Sequence, residues 1–274
     1  MCKVLQVSKS SYYTWIRNRK VKDELATQIN QQIKAEFEKS RANYGSPRVT
    51  IELHKQGINI SQSTVARKMK SLRISPRIKK KFKVTTDSNH KLAIAQNLLD
   101  RKFEVDQVSK CWVSDITYIL VGGVFYYLTT VIDLADRMVV GWNLSDNMTD
   151  KHTTIAAFKK AIRNRSIINQ SLVFHSDRGV QYASKDFVAI LEDYSCVQSM
   201  SRKGNCWDNA VAESFFKTIK TELINKHKFV TPEELDMALF DYIDGWYNTV
   251  RVHTTLKGLS PIQKYRQLTK PNVA

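Results

Sequence analysis

CWVSDITYILV (111–121), a Gly122-Gly123 turn, VFYYLTTVIDL (124–134) and MVVGWNLSD (138–146) read as three β-rich runs joined by tight connections. Their β-branched and aromatic residues favour strands, and the short connections pair neighbouring runs antiparallel. Downstream the texture alternates. A helix is expected at about 152–165, a strand at SLVFHSD (171–177), a helix at about 184–194, a short strand at CVQSMS (196–201), and a helix from Asn209. Three hairpin-linked strands followed by alternating helices and strands specify an α/β fold with a mixed sheet.

That order matches the ribonuclease-H-like architecture. Residues 109–228 are therefore expected to form such a core, behind a basic helical region (1–84) and a linker (85–108). After it comes a helical C-terminal extension (229–274). TPEE (231–234) reads as a capping box opening a helix to about Tyr247, and SPIQKYRQ (260–267) begins another. The extension reads as helical and solvated.

A chain of 274 residues with 42% hydrophobic residues can bury a substantial core. No apolar run approaches a membrane span, and MCKVLQVSKS lacks the long apolar stretch of an export signal, so a cytoplasmic, nucleoid-associated protein without a membrane partner is expected. The four cysteines are scattered without CxxC or Cys/His metal spacing, which points to reduced thiols. The net charge of +17 is unevenly placed: residues 1–84 hold 20 Lys and Arg against 5 Asp and Glu, whereas the rest hold 23 against 21. Such a concentration of positive charge favours a polyanion partner, most simply DNA.

Within the basic region, VLQVSKSSYYTW (4–15) and INISQSTVARKM (58–69) are similar. Each leads from a β-branched residue through Ser-x-Ser into an amphipathic run, with Ser8 and Ser61 as helix caps. The second follows a helix at PRVTIELHKQ (47–56) ended by Gly57, which is the helix-turn-helix pattern, and places Arg67 and Lys68 among the DNA-contact candidates. RIKKKFK (77–83) reads as a phosphate-tracking lead into the polar linker TTDSNHK (85–91).

Three acids lack a structural purpose. Asp115 interrupts a strand apolar on both faces, where an unpaired carboxylate costs several kcal/mol or is forced neutral. Asp177 ends the strand LVFHSD, at the edge where open α/β sheets hold ligands. Glu213 lies beside the stripe Ala212, Phe215, Phe216 and Ile219 in NCWDNAVAESFFKTIK (205–220). It is out of register for a capping box, whether Asn209 or Asp208 is the cap. An i,i+4 ion pair with Lys217 would contribute only ~0.2–0.5 kcal/mol. Carboxylates from two strands and a helix suit Mg²⁺, with Mn²⁺ as a substitute. Two ions ~4 Å apart would serve phosphoryl transfer. Lys217 and Lys220 follow on the same helix, and Arg202 and Lys203 lie in the loop entering it, as candidates for DNA phosphates.

Rival residues remain open at this level. Asp133, at the end of VIDL, competes with Asp115. His175 shares a strand face with Asp177, as a general base or as support for that acid. Ser201 and Tyr182 are possible nucleophiles without a convincing surrounding motif.

WVSDITY, HSDRGVQYAS and SRKGNCWDNAVAESFFKTIKTEL together resemble the catalytic motifs of the DDE transposase and retroviral integrase superfamily. Residues 178 to 212, 35 in number, separate Asp177 from Glu213, the spacing that the resemblance expects. CKVLQVSKSSYYTW, YGSPRVTIEL and YNTVRVHTTLKGLSP (247–261) extend the likeness over nearly the whole chain, toward the second-frame product of two-frame bacterial insertion sequences.

The resemblance implies a transposase whose Asp115, Asp177 and Glu213 hold the metals. Metal-activated water would release a 3′-OH at an element end, and that hydroxyl would attack a second phosphodiester without a covalent protein intermediate. It further implies a copy-out-paste-in route, a homo-oligomer on DNA, and a frameshift fusion to an upstream-frame product carrying another helix-turn-helix and a leucine zipper. No sustained heptad appears in this chain. Two other classes fit parts of the pattern: a helix-turn-helix regulator without catalysis, and a ribonuclease-H-like nuclease that cuts without joining. The regulator leaves the three acids unexplained.

Overall fold

The structure is a computed structural model that describes residues 2, 4–76, 92–167 and 171–270. The basic run 77–83 and the polar stretch 85–91 lie outside the described residues. The chain divides into two compact units, Met1–Arg77 and Ile78–Ala274.

The first unit is helical: α1 (Lys9–Lys39), α2 (Ser46–Lys55) and α3 (Gln62–Ser71). Ser8 accepts a hydrogen bond from the N–H of Ser11, and Ser61 from that of Thr64, so both expected caps form. Gly57 ends α2 with φ +80°, where the absence of Cβ removes the left-handed penalty. Ile33, Phe37, Val49, Leu53, Val65 and Met69 meet as a small core. The resemblance between the two Ser-x-Ser segments does not extend to their tertiary setting. The second begins the latter helix of a hairpin, whereas the first opens a single 31-residue helix, preceded only by turn in the described residues.

The second unit holds a five-stranded sheet of order β3-β2-β1-β4-β5. Its strands are β1 (Cys111–Val121), β2 (Val124–Asp133), β3 (Val139–Ser145), β4 (Val173–Ser176) and β5 (Val197–Met200). The first three pair antiparallel, and β4 and β5 add parallel to β1, giving the mixed ribonuclease-H-like sheet. β1 is central, as its two apolar faces require.

Alternation along the strands separates two faces. On one, Trp112, Val131, Phe174, Phe158, Phe187 and Met200 form the main core with α4 (Thr154–Asn164) and α5 (Lys185–Asp193). Gly141 on β3 lets α4 approach this closely: a Cβ there would stand 2.5 Å from the carbonyl oxygen of Ala157 and 2.6 Å from the nitrogen of Ala161. Asp133 is fully buried. It accepts hydrogen bonds from Ser109 N (2.7 Å), Trp112 Nε1 (3.2 Å) and Ala135 N (3.0 Å), and meets Arg165 at 2.7 Å. Its neighbour Asp136 meets the same guanidinium at 2.8 Å, and burial with the nearby Asp133 charge pushes its carboxyl up to about 6.

The opposite face receives α6 (Ala210–Glu222), entered through a 3₁₀ turn at Cys206–Asn209. Ala212, Phe215, Phe216 and Ile219 are buried beneath it, the stripe expected from the sequence. The C-terminal segment is not solvated as its composition suggested. α7 (Pro232–Phe240) runs into a π-helical stretch at Asp241–Tyr247, where Tyr242, Ile243, Trp246 and Tyr247 are all buried. Asn248 exchanges hydrogen bonds with the backbone of Val139 at 2.9 and 3.0 Å, and Asp244 accepts from Trp142 Nε1 at 2.9 Å. The TPEE box closes on one side only. Thr231 accepts from Glu234 N, but the Glu234 carboxylate takes the N–H of Val230 rather than that of the cap. α8 (Pro261–Thr269) carries a complete box between Ser260 and Gln263. No described helix is long and apolar enough to cross a membrane.

Candidate active site

Val113 on β1 lies beside His175 on β4 in parallel register. Asp177 follows β4 directly, and its charge and that of Glu213 both act on Asp115, two residues beyond Val113. Asp115 alternates with Trp112 and Ser114 along β1 and so projects to the face covered by α6, and Glu213 comes from the first turn of α6. All three carboxylates are half-buried.

Their charges act on one another. Desolvation, then the charge of Asp177 and also that of Glu213, raise the Asp115 carboxyl well above the usual range, opposed by a hydrogen bond from Ile116 N (2.8 Å) and by Lys220. Glu213 is raised by burial and by Asp177. Lys220 is half-buried two turns along α6. Its desolvation lowers its pKa despite the attraction of Asp115. Three acids from distant segments thus converge with one lysine. As they stand, no three Asp, Glu, His or Cys side chains among the described residues form a ready-made metal cage. Asp115 turns one oxygen to Ile116 N, and Asp177 turns Oδ1 to Gly179 N at 2.9 Å. The donor set is nonetheless entirely carboxylate oxygen, and its repulsion is what a hard cation relieves.

α6 is clamped at both ends. Before it, Asp208 is fully buried and accepts from Arg202 Nε and Nη2 (both 2.9 Å), Arg202 N (3.0 Å), Arg101 Nε (2.8 Å) and Asn97 Nδ2 (3.0 Å). These bonds, the Arg202 side chain first, hold its carboxyl well below the usual range. Asn209 Nδ2 then donates to the carbonyl oxygen of Ser114, the residue before Asp115, at 2.9 Å. At the far end, Glu222 takes Arg251 Nε and Nη2 (2.9 and 2.7 Å) and Tyr242 O–H (2.7 Å).

The remaining candidates divide. Asp133 is consumed by the core and is no rival to Asp115. His175 does not support Asp177. It bridges the hydroxyls of Ser199 (2.8 Å) and Ser201 (3.2 Å), and burial lowers its pKa to about 4. Tyr182 is buried against the Ser114 hydroxyl at 2.7 Å, its O–H raised by desolvation. Neither Ser201 nor Tyr182 is presented as a nucleophile. Lys217 is exposed and makes no ion pair with Glu213 among the described residues. Lys203 is exposed, whereas the Arg202 guanidinium is committed to Asp208. In the helical unit, Arg67 is exposed on α3, but Lys68 reaches back to Asn30 Oδ1 (2.9 Å) and Ala26 O (3.4 Å) on α1. Sequence reasoning missed the roles of Asp208, Asn209, Glu222 and Arg251, because no local pattern reveals partners that lie from 6 to 111 residues away.

Similarity to known proteins spans both units of the chain. Residues 106–206 and 213–269 match descriptions of an integrase core domain, and residues 21–82 match an HTH-like domain. The transposase InsF for insertion sequence IS3A of Escherichia coli strain K12 is 35% identical, over 96% of this chain and 92% of that protein. The chain belongs to the insertion-sequence transposase family. An uncharacterized 31 kDa protein of insertion element IS600 from Shigella sonnei is 36% identical to this transposase, over 98% of this chain and 99% of that protein. Among solved structures, the HTLV-2 integrase catalytic core domain in complex with magnesium is 20% identical, with a TM-score of 0.44, covering 57% of this chain and 96% of that one. The transposase is accordingly a polynucleotidyl transferase of the integrase type.

Proposed function

We propose that Asp115, Asp177 and Glu213 are the catalytic metal ligands with which this transposase cleaves insertion-sequence ends and joins them to new DNA. The observation that carries the assignment is the convergence of these three acids, Asp177 and Glu213 both raising the cost of the Asp115 charge and Asp177 that of Glu213. Divalent cations, Mg²⁺ or Mn²⁺ and two per site, would relieve that repulsion, and would there activate an attacking oxygen and stabilise a leaving one.

The protein's own residues orient the chemistry. Asp115 is fixed within β1, Asp177 by the turn directly after β4 in which it accepts from Gly179 N, and Glu213 by the two clamps on α6. Lys220, beside Asp115, holds a phosphate or offsets the carboxylate charge, and exposed Lys217 and Lys203 grip DNA outside the cleft. Arg202 acts on DNA through the loop it braces. Because Ser201 and Tyr182 are tied into the interior, the attacking groups are water and then a DNA 3′-OH. The helical unit supplies DNA contact through the exposed side of α3, with Arg67 on it. Assembly as a homo-oligomer on DNA, fusion to an upstream-frame product, and action in the cytoplasm at the nucleoid complete the reading.

The test uses labelled element-end DNA with Mg²⁺ or Mn²⁺, and the protein alone and fused to its upstream-frame product. Asp177→Asn and Glu213→Gln should each abolish joined products while leaving DNA binding intact. Cleavage without joining by the unsubstituted protein would favour a nuclease, and unchanged joining in both variants would sink the triad.

A further inference from the structure

α1 is far longer than its unit needs. Its packed part begins near Ala26, and Ile33 and Phe37 carry it into the core. Residues 9–22, ~21 Å of helix at 1.5 Å per residue, have described side chains that are all exposed apart from half-buried Tyr12 and Ile16. The matched HTH-like domain begins only at residue 21.

This protruding stretch reads KSSYYTWIRNRKVK and contains five Lys or Arg and no acid. Its aromatic groups lie among its cations. Tyr12 stacks on Trp15 with ring centroids 6.3 Å apart, and the Arg19 guanidinium sits 5.2 Å above the Trp15 ring. At 100° per residue, Trp15, Asn18, Arg19 and Lys22 share one side of the helix, the side that further along buries Ile33 and Phe37. With Ser10, Ser11, Thr14 and, at its far end, Asp23, they line a shallow groove rich in hydroxyl, amide and cationic donors. Arg19 also approaches Asp23 at 3.8 Å, an exposed pair that is weak and easily exchanged.

We propose that residues 9–22 form a second DNA grip, distinct from the recognition side of α3, in which Trp15, Arg19 and Lys22 lie against the phosphate backbone of duplex DNA. The inference rests on the transposase reading and deepens it. Charge complementarity selects the occupant. A second copy laid along this face would set Arg19 and Lys22 against the same two bases with only Asp23 to offset them, whereas a duplex offers a phosphate charge every ~1.7 Å of its axis. The hydroxyl and amide donors are of the kind that bond phosphate oxygens and fix register without reading sequence.

The experiment measures binding of the full chain to a labelled duplex of arbitrary sequence, by fluorescence anisotropy across about 50–200 mM salt. Arg19→Gln and Lys22→Gln combined should weaken binding and make the log–log salt slope shallower by about 2, at about 0.9 per lost phosphate contact. Trp15→Ala should weaken binding and Trp15→Phe should restore it. These side chains are solvent-exposed, and unchanged helical circular dichroism confirms folding. An unchanged slope in the Arg19→Gln, Lys22→Gln double variant overturns the grip. So does unchanged DNA binding with a lower sedimentation mass in Trp15→Ala, which would make the face a protein interface. Failure of the transposase reading is separable, since it appears as absent DNA joining by the unsubstituted protein.

Discussion

Asp208→Asn removes the charge that organises the loop entering α6. The carboxylate serves five donors through two oxygens, three of them from Arg202. Asparagine keeps one oxygen and turns an NH₂ toward the rest, so at least two donors lose their acceptor. Charge-assisted hydrogen bonds contribute roughly 1.5–3 kcal/mol each, and stripping one partner from a buried ion pair costs about 3–5 kcal/mol. Here the Arg202 and Arg101 side chains are 49% and 45% exposed and regain water. The expected loss is therefore lower, about 2–4 kcal/mol. At about 2–4 °C per kcal/mol for a unit of this size, Tm falls by roughly 5–15 °C. Because the folded Asp208 pKa is depressed, its stabilisation is present above the ordinary carboxylate pKa of about 3.9 and is lost as pH falls toward the folded value. The gap between wild type and variant in calorimetry should thus be full near neutrality and close in acid. Glu213 lies five residues beyond Asp208, so strand joining should fall while binding of duplex DNA persists. A variant that melts within about 2 °C of wild type at neutral pH, or a gap that does not close in acid, would refute this account of the clasp.

Other perturbations probe different layers. In chelator, the folded Asp115 pKa is raised, so the native state holds a proton that the unfolded chain has released, and stability falls as pH rises. Asp115→Asn keeps an oxygen for Ile116 N, and its calorimetric stability relative to wild type should grow by up to about 1.4 kcal/mol per pH unit until Asp115 ionises. Parallel pH curves would contradict it. Gly141→Ala places a methyl 2.5 Å from Ala157 O and 2.7 Å from Ala161 Cβ, so α4 must shift. Urea unfolding should show a loss of about 1–3 kcal/mol or more. Arg165→Met leaves Asp133 and Asp136 buried without their shared cation, and should cost about 3–5 kcal/mol at neutral pH by the same assay.

Local chemistry by itself determined the strand runs, the helix caps and the charge imbalance. Periodicity, turn residues and serine caps act within a few positions, so β1 to β5, α2 to α6 and the Ser8-capped start of α1 were legible along the chain, whereas the 31-residue length of α1 was not. Asp115 was conspicuous because a charge within a doubly apolar strand contradicts its surroundings. Only the tertiary structure decided which acids meet, because register across β1 and β4 and the seating of α6 are set by packing over long separations. It also removed candidates: Asp133 to Arg165, Arg202 to Asp208, Lys68 to α1, and His175 to two serines. The C-terminal segment shows the limit most plainly. Its polar composition suggested a solvated tail, yet Glu222 with Arg251, and Asn248 with Val139, draw it into the core beneath α6. Buried polar groups acquire their meaning from partners, and partners distant in sequence are supplied by the fold.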